Sequence, residues 1–353
     1  MAKKKKKTLP KNFDELIKAG DITALKAVFE ECELEAYGGY GKETALHFYG
    51  VPNELVRWLV EQGANINAED TYGRTPLYAQ ATIGSNIVEL LLDLGANIQL
   101  SDHDGNTPLH IAAGYFRVDT VQFLIERGAN IHAVNNSKQT PLAYALALCN
   151  NIGISNMAKI ATLLLKSGAT VTSEMSESVK RIGKDFEFHR DNFNKDYLTE
   201  TEEGLSKLYS IFGVEAVAKR RVHDGVSKIT VTNKVWQKQH HELWEFLVPS
   251  QGVAQTMQGE VIRITGRISD ELYRNGGANW DSDYRKMLDT LLQYLASGTP
   301  LSLKELSTAA ELATIIRPKG DSDDESDHLC ELAVKWVLAN PLPIMLDKPN
   351  YKR

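Results

Sequence analysis

The sequence predicts an all-α chain: a stack of short helical pairs in the first half, then a separate C-terminal helical domain. Three observations carry this. A tetrapeptide recurs as Thr44-Ala45-Leu46-His47, Thr75-Pro76-Leu77-Tyr78, Thr107-Pro108-Leu109-His110 and Thr140-Pro141-Leu142-Ala143, at intervals of 31, 32 and 33 residues. A second marker keeps step with it at Gly63-Ala64-Asn65-Ile66, Gly95-Ala96-Asn97-Ile98, Gly128-Ala129-Asn130-Ile131 and Gly168-Ala169-Thr170-Val171. Past Ser173 the period stops, and longer segments with apolar stripes at helical spacing take over.

Each repeating unit has a physical reading. The threonine caps a helix whose first turn accepts proline, because the missing N–H would have had no partner there. A second helix follows with an apolar stripe, such as Ile87, Leu90, Leu91 and Leu94, or Val118, Val121, Leu124 and Ile125. The glycine of the second marker ends it in a left-handed turn. The Asn-Ile stretch then leads through a turn to the next unit.

This pattern, nearly complete at Asn106–Ala113, resembles the ankyrin repeat over about residues 12–173 and implies an ankyrin-type α-solenoid. Phe13–Phe29 looks like a divergent capping unit, which makes five units in all. Phe48-Tyr49-Gly50-Val51-Pro52 replaces the small residues usual in a first helix, so that helix is expected to be short or irregular. The last unit carries about seven extra residues, placed within Cys149–Asn156.

Such a stack has no enclosed chamber, so protein recognition is expected and catalysis by the repeats is not. The resemblance implies that a partner meets the hairpin tips, Thr71, Tyr72, Arg74, His103, Asp104, Asn106, Asn136, Ser137 and Gln139, and the first-helix positions Thr82, Ile83, Tyr115 and Phe116. Tyr72, Tyr115 and Phe116 are the preferred anchors, since aromatics bury large area at small entropic cost; Tyr115 and Phe116 tucked into the inter-helix turn is the competing placement. His47 and His110 are expected to bond to backbone and fix a turn.

Residues 1–11 are expected to be a basic disordered tail containing the Lys3–Lys7 run. Residues 174–233 are read as a helical connector and cap, with an Asp224-Gly225 hairpin flanked by Ile229 and Val231. Residues 234–353 are read as a helical domain with stops at Ser297–Pro300 and Pro341, and with a solvated acidic loop at Asp321–Asp327. Within it, Glu260, Arg263, Arg267, Glu271 and Arg274 fall on one helix face. That face is either an exposed ion-pair ladder or a partly buried anion site in which Gly259 and Gly266 let another backbone approach closely. Glu260, Arg263, Arg267, Arg274 and Trp280 are the candidate ligand residues.

The composition excludes several classes. Among 353 residues, 40 Lys and Arg oppose 46 Asp and Glu, a net charge of −6, which offers no field to gather nucleic acid. Apolar runs are too short to cross a membrane. No cofactor or metal is expected, since no phosphate-binding loop, serine nucleophile motif or zinc-ligand spacing occurs, and Cys32, Cys149 and Cys330 are far apart, which fits a reducing cytoplasm. Leu243–Pro249, Gln258–Arg263 and Arg274–Trp280 resemble a region of uncharacterised bacterial proteins. By analogy this points to a cytoplasmic, non-enzymatic binding protein that sequesters a partner or neutralises a toxin. The alternative is a ligand-binding or enzymatic C-terminal domain for which the repeats serve as targeting module.

Overall fold

The structure is a computed structural model and describes residues 4–318, 323–347 and 349–352. It divides into two compact units, Met1–Phe186 with Phe193–Val217, and Glu187–Asn192 with Ala218–Arg353. The expected connector is therefore split between them, most of its helical length belonging to the first.

The first unit opens with strand β1 (Lys6–Thr8), helices α1 (Phe13–Ala19) and α2 (Ile22–Glu31), and strands β2 (Cys32–Gly38) and β3 (Glu43–Thr44). β1 pairs parallel with β2, and β2 antiparallel with β3. The basic segment is thus not a disordered tail from Lys4 onward; Lys3 lies outside the described residues. Its order has local causes: Leu9 is buried and donates its N–H to Tyr37 O at 2.9 Å, and Lys5 Nζ donates to Phe29 O at 2.6 Å.

The repeats follow as pairs. A single 3-10 turn (Ala45–His47) precedes α3 (Asn53–Glu61), the short first helix that the aromatic run foretold. Then come α4 (Pro76–Ile83) with α5 (Ile87–Asp93), α6 (Pro108–Gly114) with α7 (Val118–Glu126), and α8 (Pro141–Leu148) with α9 (Ile154–Lys166). Thr75, Thr107 and Thr140 are the N-caps of α4, α6 and α8. The insertion before α9 forms a 3-10 turn at Asn151–Gly153, and α10 (Ser173–His189) and α11 (Lys195–Phe212) follow. Leucines 55, 59, 77, 91, 109, 124 and 142 are each at most 1% exposed and run through every layer as one continuous core.

The hairpin turns between pairs are stitched in a fixed direction. Thr71 N–H donates to Gly41 O at 2.7 Å, His103 N–H to Tyr72 O at 2.9 Å, and Asn136 N–H to Asp104 O at 2.9 Å. Inside each turn one side chain holds the loop: Asp70 Oδ1 accepts from the Tyr72 and Arg74 N–H groups (2.7 and 2.8 Å), Asp102 Oδ1 from Asp104 and Asn106 (3.0 and 2.8 Å), and Asn135 Oδ1 from Gln139 (2.9 Å). The turn position filled by Gly73 and Gly105, with φ of 76° and 79°, is filled in the third hairpin by Lys138 at 60°.

The second unit contains α12 (Trp236–Leu247), α13 (Met257–Asn275), α14 (Ser282–Leu295), α15 (Leu303–Ile316) and α16 (Asp323–Ala339). Residues 323–327 open α16 rather than forming an acidic loop, and 321–322 lie outside the described residues. Around Asp224 there is a turn but no hairpin: Asp224 Oδ1 accepts from the Val226 and Ser227 N–H groups at 2.9 and 2.7 Å, while Ile229 is buried and its N–H donates to Pro341 O at 2.8 Å. Helix α13 is central. A Cβ at Gly259 would lie 2.9 Å from Leu247 O, so the backbone at the end of α12 comes close there as expected, whereas at Gly266 the close neighbour is the Trp244 indole, a side chain and not a backbone.

Candidate functional site

In the repeats, the motif histidines serve the frame. His47 Nδ1 accepts from the Thr44 N–H at 3.1 Å, and His110 Nδ1 from the Thr107 N–H at 3.2 Å. The proton must then be on Nε2, which donates across to Arg74 O (2.9 Å) and Gln139 O (3.0 Å) in the next hairpin. Burial pushes both imidazoles below their ordinary pKa and keeps them neutral. Tyr78 stands where α6 has His110 and reaches farther, its hydroxyl donating to Asp102 Oδ2 at 2.6 Å.

With these groups consumed internally, the exposed residues define what remains for a partner. Thr71, Tyr72, Arg74, His103, Asp104, Tyr115, Asn136 and Ser137 are exposed, while Thr82, Ile83 and Gln139 are half-buried. Asn106 is not presented: it is buried, and its Oδ1 accepts from Asn135 Nδ2 at 2.9 Å. Phe116 is also withdrawn. Its φ of 58° places it in the left-handed turn position that glycine fills between α4 and α5, where Gly84 has 71°. Its ring covers the insertion so closely that a Cβ at Gly153 would come within 2.8 Å of it. The anchor expected at Phe116 is therefore a packing residue; Tyr115 beside it is 51% exposed and does not tuck into the turn.

Arg74, Thr82, Asp104, Asn106 and Tyr115 share a groove of about 370 Å³ with Glu43, Asp70, Tyr78, Asp102 and Tyr144. Ile83 and Phe116 line a different depression near the inter-helix turns. The sequence reading missed Tyr78 and Tyr144 as groove residues. For Tyr78 a signal existed, the departure from histidine in Thr75-Pro76-Leu77-Tyr78.

In the second unit the expected ligand cluster comes apart. Glu260 and Arg263 are 0% and 1% exposed, and the carboxylate that Arg263 holds is that of Glu260, at 2.8 Å from Nε and 2.5 Å from Nη2. Glu260 also accepts from the Ala254 N–H (2.9 Å) and the Tyr351 hydroxyl (2.5 Å). Glu271 is buried and holds the turn after α13, accepting from the Asn279 N–H at 2.6 Å. Arg274 is exposed and pairs with Asp270 at 2.9 Å. Trp280 stacks on Tyr284 with ring centres 4.9 Å apart and donates Nε1–H to Arg317 O at 3.1 Å. The face is not a solvent ladder along its length: Glu260, Arg263 and Glu271 are covered, and Arg274 is open.

Arg263, Arg267 and Arg274 do line one cleft of about 820 Å³, together with Trp236, His240, Trp244, Tyr273, Asp327 and Cys330 and without Glu260 or Trp280. His240 Nε2 lies 3.0 Å from Thr265 Oγ1, and burial, helped by His241, lowers its pKa to about 4. Burial raises the Cys330 thiol to about 12. A neutral imidazole and an un-ionised thiol at neutral pH do not make an activated nucleophile. Among the described residues, no group of three or more His, Cys, Asp or Glu is placed to hold a metal ion, and no helix is long and apolar enough to cross a membrane.

Residues 15–102 and 81–175 match the family model described as ankyrin repeats (3 copies). The chain therefore carries an N-terminal ankyrin-repeat region, a type of region that generally mediates protein binding. No curated protein matches the chain. The family match ends at 175, and nothing found supports the expected likeness of the C-terminal region to bacterial proteins or a bacterial source.

Proposed function

We propose that the ankyrin-repeat region captures a protein partner along its hairpin tips and first helices and holds it without catalysis. Sequestration of that partner is the form we favour, with toxin neutralisation as one specific case. The carrying observation is the exposure of Tyr72 and Tyr115, at 47% and 51%, on a frame whose motif histidines and hairpin backbones are bonded within and between repeats. Rigid tyrosines on a pre-ordered surface gain contact area at small entropic cost. A cytoplasmic location belongs to the same proposal and draws on three free, buried thiols.

The test is affinity capture from the native host with the full chain and with Tyr72→Ala/Tyr115→Ala. The variant should lose the partner by tenfold or more with its Tm unchanged, because neither ring fills the core. Equal recovery of the partner by both proteins would refute the reading.

A further inference from the structure

The groove between the hairpins and the first helices is lined by Glu43, Asp70, Asp102 and Asp104 against a single guanidinium, that of Arg74. Tyr78, Tyr115 and Tyr144 form part of its walls. Burial raises the Tyr144 hydroxyl pKa, and Tyr115, Asp102 and Asp104 raise it further, so the Tyr144 hydroxyl lies within electrostatic reach of those three. The groove already shows how it receives a cation: the Arg74 guanidinium stands over the Tyr72 ring at 4.6 Å and the Tyr78 ring at 5.9 Å from their centres. The wider field has the same sign, since residues 12–173 carry ten Lys and Arg and eighteen Asp and Glu, a net of −8.

We infer that this groove is the specificity element of the face and takes an arginine side chain from an extended basic segment of the partner. The ring faces of Tyr115 and Tyr144 would receive the guanidinium as Tyr72 and Tyr78 receive that of Arg74. The Asp104 carboxylate is exposed and gives the charged acceptor that a planar, five-donor cation matches. Asp102 adds charge from behind while remaining bonded to Tyr78. The inference rests on the protein-capture reading and adds the chemistry of the partner to it.

The experiment titrates fluorescein-labelled (Gly-Arg)4 and (Gly-Glu)4 peptides with the full chain and reads anisotropy at low and at physiological salt. Saturable binding of (Gly-Arg)4 alone is expected, weaker at the higher salt. Asp104→Asn/Tyr115→Ala should weaken it at least tenfold. Glu61→Gln/Tyr197→Ala removes the same charge and an aromatic ring at exposed positions outside the groove, and should leave it unchanged. If the double groove variant melts early, Tyr115→Ala alone replaces it, with a loss of at least threefold expected. Equal weakening in the groove and control variants, or no preference for the arginine peptide, overturns the inference. Should neither peptide bind while Tyr72→Ala/Tyr115→Ala still loses its natural partner, the inference falls and protein capture stands.

Discussion

The two units solve the same problem, the satisfaction of buried polar groups, over very different sequence distances. In the repeats the motif groups find their partners within the layer or in an adjacent one, as His110 does with Thr107 and Gln139 and as Gln80 does with Leu46 O. In the second unit the groups at the start of α13 are met from the far end of the chain. Gln258 Nε2 donates to Asn340 O and Leu342 O at 2.8 and 2.7 Å, its Oε1 accepts from the Ile344 N–H at 3.0 Å, and Tyr351 reaches Glu260. Local satisfaction leaves a surface free to vary; long-range satisfaction ties the helices to one closing segment.

The largest effect should come from unbalancing the buried carboxylate that this segment covers. Arg263→Ala leaves Glu260 charged and buried without its guanidinium, which costs about 3–5 kcal/mol. Urea denaturation followed by the fluorescence of buried Trp336 should show the second unit losing most of its stability while the repeats keep theirs. A loss confined to a few tenths of a kcal/mol would mean that the buried pair does not organise this unit.

A smaller effect in the second unit is set by pH. His240 is neutral in the folded second unit, with a pKa near 4, whereas in the unfolded chain it protonates near the ordinary histidine value of about 6.5. Its folded pKa is depressed, so its contribution is fully present above about 6.5 and is lost as pH falls toward 4, by at most roughly 3 kcal/mol. His240→Gln should flatten the fall of the urea midpoint between pH 6.5 and 4; an unchanged slope would assign acid sensitivity to other groups. His47 and His110 act in the same direction in the repeats, their pKa values being lowered by burial.

The smallest effect sharpens the idea that repeats are corrected one at a time. Lys138 takes the left-handed position that glycine holds in the two preceding hairpins. Lys138→Gly relieves a strain of about 1–2 kcal/mol and adds chain entropy to the unfolded state, for a net gain of about 0.5–1 kcal/mol. A rise in the Tm of the repeat region measures it, and a fall would show that the Lys138 side chain contributes a contact.

What the sequence disclosed follows the same division. The repeat boundaries, the helix caps and the roles of His47 and His110 were legible because each depends on residues within about one repeat. Phe116 was misplaced because its role is set by a backbone angle and by Gly153, 37 positions later. The ordered β1 was missed because a run of lysines reads as solvated, and only the β2 edge gives its backbone partners. In α13 the spacing correctly put Glu260, Arg263, Arg267, Glu271 and Arg274 on one side, but spacing does not say how far along that side the cover extends. Tyr351, 91 positions away from Glu260, supplies that cover.

The hairpin ladder has a consequence for how this protein can grow. Thr71, His103 and Asn136 each donate toward the amino-terminal neighbour, and the Tyr72 and Asp104 carbonyls accept from the hairpin that follows, so the joints have a head and a tail. A duplicated stretch spliced between two existing hairpins would meet matching donors and acceptors at both seams. The recognition surface can therefore lengthen by whole tiles, whereas the unit closed by Tyr351 has no seam at which such a tile would fit.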